Sequence, residues 1–168
     1  MKSIFVIVLL LATLTLPVHA EDEACEMLFV QDAKAMVFDG SMLTLKEANP
    51  NIIFFCDRPV RTAGHLTRDA FMKLVTEGEN SFIDNPPNAA VSIVSAIGEV
   101  TEVVVTLSKR PQVRGNDMVF PIKVIDGKLP TAGETVIMFI DPIGRPMSPT
   151  SAAGVHRRHR RRAVRHIN

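Results

Sequence analysis

Short apolar runs, punctuated by turn residues at close and regular spacing, restrict this chain to a β-rich fold. In the second half, residues 89–95, 100–108, 118–125 and 135–141 each read as a strand. Gly98, Gly115-Asn116, Asp126-Gly127 and Ala132-Gly133 separate them at the spacing of all-β folds. The run TEVVVTL within 100–108 is rich in β-branched residues, which fit a pleated surface better than a helix. In the first half, residues 27–31 are short and apolar, and residues 34–38 and 42–46 flank Asp39-Gly40, a pair suited to the positive φ angles of a type I′ hairpin turn. Asn49-Pro50-Asn51 breaks the chain before 52–55, a run apolar on both faces and therefore expected as a central buried strand.

One helix is expected, over residues 68–77. Thr67 can cap it, Asp69 lies in its first turn, Phe71, Leu74 and Val75 form one apolar face, and Gly78 ends it. The turn at Asn85-Pro86-Pro87-Asn88 then excludes a sheet, because neither proline can donate to a ladder. Together these features predict a mainly β, single-domain antiparallel sandwich or small barrel of about seven to nine strands, with one short helix across an end or face.

The N-terminus orders Lys2, an apolar run over residues 4–16, and the small-residue exit Val18-His19-Ala20 ahead of Glu21-Asp22-Glu23. That order is a secretory signal, with cleavage expected near Ala20. The apolar run is about 13 residues, against about 20 needed to span a bilayer. Residues 1–20 are thus expected as a signal peptide, 21–141 as the β-rich domain, and 142–168 as a Pro/Gly linker and disordered Arg/His tail. The product is expected to be exported, periplasmic or secreted, with no transmembrane segment after cleavage. Export makes a Cys25–Cys56 disulfide, closing a loop of about 30 residues, the favoured reading over two buried thiols.

Little chemistry is encoded in the body. His65 is its one histidine, no serine sits in a G-x-S-x-G elbow, and no H-x-x-x-H, H-E-x-x-H or paired C-x-x-C spacing is present. No catalytic residue, metal site or cofactor is therefore assigned. The absence of Trp and Tyr disfavours a carbohydrate platform. The densest polar constellation is Asp57, Arg58, Arg61, Thr62 and His65, following the 52–55 strand. Two arginines and a histidine at a strand end can clamp a carboxylate or phosphate. On the structural alternative, Asp57 pairs with an arginine to hold the turn, and His65 caps or packs against the helix.

Cys56-Asp57-Arg58-Pro59, Pro86-Pro87-Asn88-Ala89 and Met138-Phe139-Ile140-Asp141 give the chain a resemblance to an uncharacterised family of exported bacterial proteins. Its members resemble this chain in an aromatic strand ending in a DRP triplet, an AGH-like segment with a short helix, a PPNA turn and a closing FID strand. The resemblance spans about residues 28–145 and implies a shared fold and no known activity. Cys56 stands where the family pattern has Ser, so the resemblance does not carry the disulfide.

Charge is divided along the chain. Residues 21–154 hold 12 Lys and Arg against 18 Asp and Glu, a net of −6, whereas 155–168 hold six arginines and no acid. Arg157, Arg158, Arg160, Arg161, Arg162 and Arg165 form a dense cationic patch able to bind phosphates, sulfates or anionic lipid head groups. His156, His159 and His166 add charge as pH falls below about 6.5. The tail therefore predicts a partner among anionic lipids or acidic polysaccharides, with nucleic acid a less available partner for an exported chain. Docking of the tail onto the acidic body, or a solvated tail with no partner, are the alternatives. The reading as a whole is an exported, non-enzymatic interaction or envelope-associated module. Its alternative is a small anionic-ligand-binding or catalytic domain using residues 57–65.

Overall fold

Residues 27–38 contain neither Gly nor Pro, and they form a single strand, β1 (Met27–Phe38), in the computed structural model, which describes residues 26–56, 61–77, 81–95 and 97–142. The two short runs expected here are thus one twelve-residue element. A connection through Asp39-Gly40-Ser41 leads to β2 (Met42–Ala48), antiparallel to β1 with Phe38 opposite Leu43. The hairpin is where the sequence puts it, but the turn is not type I′. Only Gly40 has a positive φ, 103°, and the Asp39 carboxylate closes the turn instead, accepting from the Met42 and Ser41 N–H groups at 2.8 and 2.9 Å. Those bonds hold the Asp39 carboxyl below the usual carboxylate range, the Met42 N–H contributing most.

At Asn49-Pro50 the chain leaves β2 and begins β3 (Asn51–Cys56). Both strands lie on the same edge of β1. β2 pairs with its C-terminal part, from Ala33 to Phe38, and β3 with its N-terminal part, from Met27 to Val30. β3 turns back into β4 (Thr62–Thr67), a strand the sequence reading missed because it treated this stretch as a polar segment. Nor is β3 the central buried strand expected. Ile52 and Cys56 point inward and are buried, but Ile53 and Phe55 on the other face are 42% and 46% exposed. An apolar run does not distinguish a strand covered on two faces from one whose outer face is merely apolar.

The helix α1 (Arg68–Thr76) follows β4 directly, its cap made by Thr67 Oγ1 accepting from the Ala70 N–H at 3.3 Å. Beyond the two prolines come β5 (Asn88–Val94), β6 (Val100–Leu107), β7 (Gln112–Arg114), β8 (Asp117–Asp126) and β9 (Ala132–Ile140). The ladder β1-β2-β8-β6-β5-β9 returns to β1, so six antiparallel strands close a barrel; β3–β4 extend from β1 and β7 from β8. Of the two architectures left open by the sequence, the small barrel is the one formed. Closure removes the edges a sheet of this length would otherwise expose.

Alternate residues of the six strands fill the interior: Phe29, Met36, Leu43, Leu45, Val91, Val105, Phe120 and Met138 are all at most 1% exposed. Gln31 is the polar exception, 0% exposed, with its amide Nε2 donating to the Asp32 and Asn49 carbonyls at 2.8 and 3.1 Å. Near Lys34 the alternation slips. Ala33 and Met36, Ala48 and Leu45, and Val136 and Gly133 are inward positions three residues apart, and each pair spans one extra residue. Two of those spans contain Glu47 and Thr135, at φ 44° and 46°, the two non-glycine residues with positive φ among the described residues. Left-handed backbone at a β-branched threonine costs on the order of 1–3 kcal/mol and persists only where surrounding structure dictates it. Gly133 is required by packing, since a Cβ there would overlap Ile93 Cγ2.

α1 plugs the barrel at its Phe29 end. The Phe71 ring meets Phe29 edge-on at 5.3 Å, and Phe82 meets Phe71 edge-on at 6.2 Å, so three rings cross the opening. Phe71→Ala should therefore destabilise the protein by about 3–5 kcal/mol in urea unfolding. Ile83→Ala, at a neighbouring residue that is 55% exposed, should change it by no more than about 0.5 kcal/mol. Equal effects of the two substitutions would show that the helix does not seal the core.

Candidate functional site

The structure separates the constellation read from residues 57–65. Asp57 and Arg58 lie outside the described residues, as do Cys25 and the tail arginines Arg157, Arg158, Arg160, Arg161, Arg162 and Arg165. Arg61 stands just before β4 and lines a recess of about 410 Å³ together with Phe55, Cys56, Thr62 and Ala63. His65 projects from the outer face of β4, exposed and opposite Ile53, and is not part of that lining. It does not cap the helix either, since Thr67 does. Extension is what divides the set: Arg61 and His65 are four residues apart, and at roughly 3.3 Å per residue an extended strand sets them about 13 Å from each other. Cys56, at the end of β3, is buried and is not a free thiol.

A second set of polar groups, which the sequence reading did not single out, converges where β3 forks away from β2. Its centre is Arg68. The guanidinium donates from one terminal nitrogen to the Ala48 carbonyl at 2.7 Å and from the other to the Gly115 carbonyl at 3.0 Å. One side chain thereby ties the start of α1 to the end of β2 and to the turn between β7 and β8. Arg68 Nε is buried and has no hydrogen-bond partner among the described residues. A signal for this residue was present in the sequence. A cation at the first position of a helix opposes the helix dipole, so it needs a compensating partner elsewhere in the fold.

Beside the clamp, the Asp117 carboxylate accepts from Lys46 Nζ at 2.6 Å and from the Glu47 N–H at 3.0 Å. The Lys46 ammonium, then the Glu47 N–H, with a further contribution from the Arg68 charge, hold the Asp117 carboxyl below its ordinary range. Lys34 Nζ and the Glu47 carboxylate form an exposed ion pair across β1 and β2. Between these groups lies the larger recess, about 630 Å³, at whose lining Asp32, Lys34, Glu47, Asn49, Arg68 and Thr135 meet. Both residues with left-handed backbone, Glu47 and Thr135, are in that lining. At Thr135 the register of β9 against β5 shifts by one residue, a bulge, and bulges recur beside functional sites, where they re-aim a side chain.

No family model, curated protein or solved structure matches the chain. Among the described residues no helix is long and apolar enough to cross a membrane, and no group of three or more His, Cys, Asp or Glu side chains is placed to hold a metal ion.

Because Asp117 is held ionised in the folded state, its contribution to stability is complete above its unfolded value of about 3.9 and is lost as pH falls through the lower folded value. Urea midpoints measured from pH 7 down to pH 2 should fall below about pH 4 in the parent protein. Asp117→Asn should lower the midpoint at pH 7 and flatten that fall. An unchanged pH profile in the variant would remove Asp117 from the account.

Proposed function

We propose that this chain is an exported, non-enzymatic interaction module of the cell envelope, with its arginine-rich tail acting as an electrostatic adhesive for polyanions. The observation that carries this reading is the packing of six arginines into residues 157–165 of a chain whose body is acidic. The barrel supports it from the other side. Its interior is filled with apolar side chains, so binding is left to the exterior and to segments joined to it. β9 ends at Ile140, paired with Phe29 and Ala89, at the helix-plugged end of the barrel. Guanidinium groups pair with phosphate and sulfate in bidentate fashion, and clustered charge makes such binding steep in salt. Anionic lipid head groups and acidic polysaccharides are the partners available to an exported chain.

A second reading has one observation in its favour. Arg61 borders a recess beside the exposed ring of Phe55, a combination suited to a small carboxylate or phosphate with an apolar portion. On that reading Arg61→Ala abolishes binding of the small anion while the tail-dependent binding is untouched.

Export also accords with Cys56 being bridged to Cys25. Intact mass of the mature chain should then begin at Glu21 and be two hydrogens short of the reduced form, and reduction should cost about 3 kcal/mol in stability. Alkylation of both cysteines without prior reduction would refute the bridge.

The tail is tested by comparing the mature chain with one lacking residues 155–168. Binding is measured to phosphatidylcholine–phosphatidylglycerol vesicles and to dextran sulfate, at low and moderate salt. Binding should require the tail and should weaken by roughly tenfold or more on going from about 50 to 200 mM salt. Equal binding by the two proteins would overturn the proposal.

A further inference from the structure

The recess at the fork of β2 and β3 has a lining that is electrically balanced, with Lys34 and Arg68 set against Asp32 and Glu47. These four groups are not equally engaged. Lys34 and Glu47 neutralise one another in their ion pair. Arg68 uses one N–H of each terminal nitrogen on a backbone carbonyl and keeps a buried Nε–H with no acceptor among the described residues. Asp32 is half-buried, and its carboxylate receives one long contact, from Asn49 Nδ2 at 3.5 Å, at the outer limit for a hydrogen bond. The recess thus offers a guanidinium with donors to spare, which favours an oxyanion, and one under-used carboxylate that favours a cation. Buried polar groups without partners are uncommon in native structures and call for an explanation.

We propose that this recess binds a small zwitterion, an amino acid or short peptide, with its carboxylate on the Arg68 guanidinium and its ammonium on the Asp32 carboxylate. A simple anion fits less well, because Asp32 and Glu47 repel it; a simple cation meets Lys34 and Arg68. The volume of about 630 Å³ lies within the range of small-molecule sites. The floor is built at a cost: Glu47 and Thr135 hold left-handed backbone on the two strands flanking Lys34. Strain of that kind is retained where it shapes a site. The site is distinct from the tail and from the Arg61 recess, so it stands or falls independently of both.

The test is a titration of the ¹⁵N-labelled mature chain with alanyl-alanine, following the Arg68 Nε–H and the Asn49 and Asn116 side-chain amides by NMR. Two comparators keep the shape and remove one charge each: N-acetyl-alanyl-alanine lacks the ammonium, and alanyl-alanine amide lacks the carboxylate. Saturable movement of the Arg68 Nε–H is expected with the free dipeptide, and both comparators should bind at least about tenfold more weakly. Asp32→Asn should weaken the free dipeptide to the level of its acetylated form and leave the acetylated form unchanged. Equal affinity for all three peptides, or no movement of the Arg68 resonance at tens of millimolar, would overturn the proposal. The peptide comparison is made on the parent protein and decides the matter even if Asp32→Asn fails to fold.

Discussion

One edge of β1 is shared by two strands, and the rest of the molecule follows from that division. β2 occupies the C-terminal part of the edge and closes the barrel; β3 occupies the N-terminal part and leads out of it. The hand-over at Asn49-Pro50 is held by backbone and side chain together. The Asn49 N–H donates to the Asp32 carbonyl at 3.0 Å, Asn49 Oδ1 accepts from the Asn51 N–H at 3.0 Å, and the Pro50 carbonyl accepts from the Arg68 N–H at 2.9 Å. Gln31, buried inside the barrel, reaches the same place through its amide. Proline suits this position because it has no N–H to offer a ladder that must end here.

The fork in turn sets where α1 lies. Because β4 returns along β3 toward Asn51, the helix begins beside the end of β2, and Arg68 spans the gap to Ala48 and Gly115. From that start, nine residues carry Phe71 and Val75 under the barrel mouth. Plug and recess are therefore products of the same junction. Phe71 faces the apolar interior, while the first residue of the helix faces the polar cleft.

The strands were legible because local periodicity and turn chemistry suffice for them, and β5, β6, β8 and β9 lie within a few residues of their expected limits. The helix was legible for the same reason, with Thr67 as its cap and its end at Thr76 rather than Glu77. β4 was not, since Thr62-Ala63-Gly64-His65 carries no apolar alternation and is extended only because β3 pairs with it. The candidate site was less legible still. Asp32 and Lys34, Glu47, Arg68 and Asn116 come from four places in the sequence and share no motif. Arg61 and His65, four residues apart, looked like a unit and are not one.

By itself the sequence determined the β-rich class, the helix and its cap, the break at Asn49-Pro50 and the division of charge between body and tail. Each of these is decided by side-chain period, backbone φ preference or composition, which act over a few residues. Closure into a barrel, the fork in β1's edge, the left-handed backbone at Glu47 and Thr135 and the convergence on Arg68 were decided by tertiary structure. Pairing between strands as distant as β1 and β9 depends on burying one shared apolar interior, and no local pattern records which strands will meet across it.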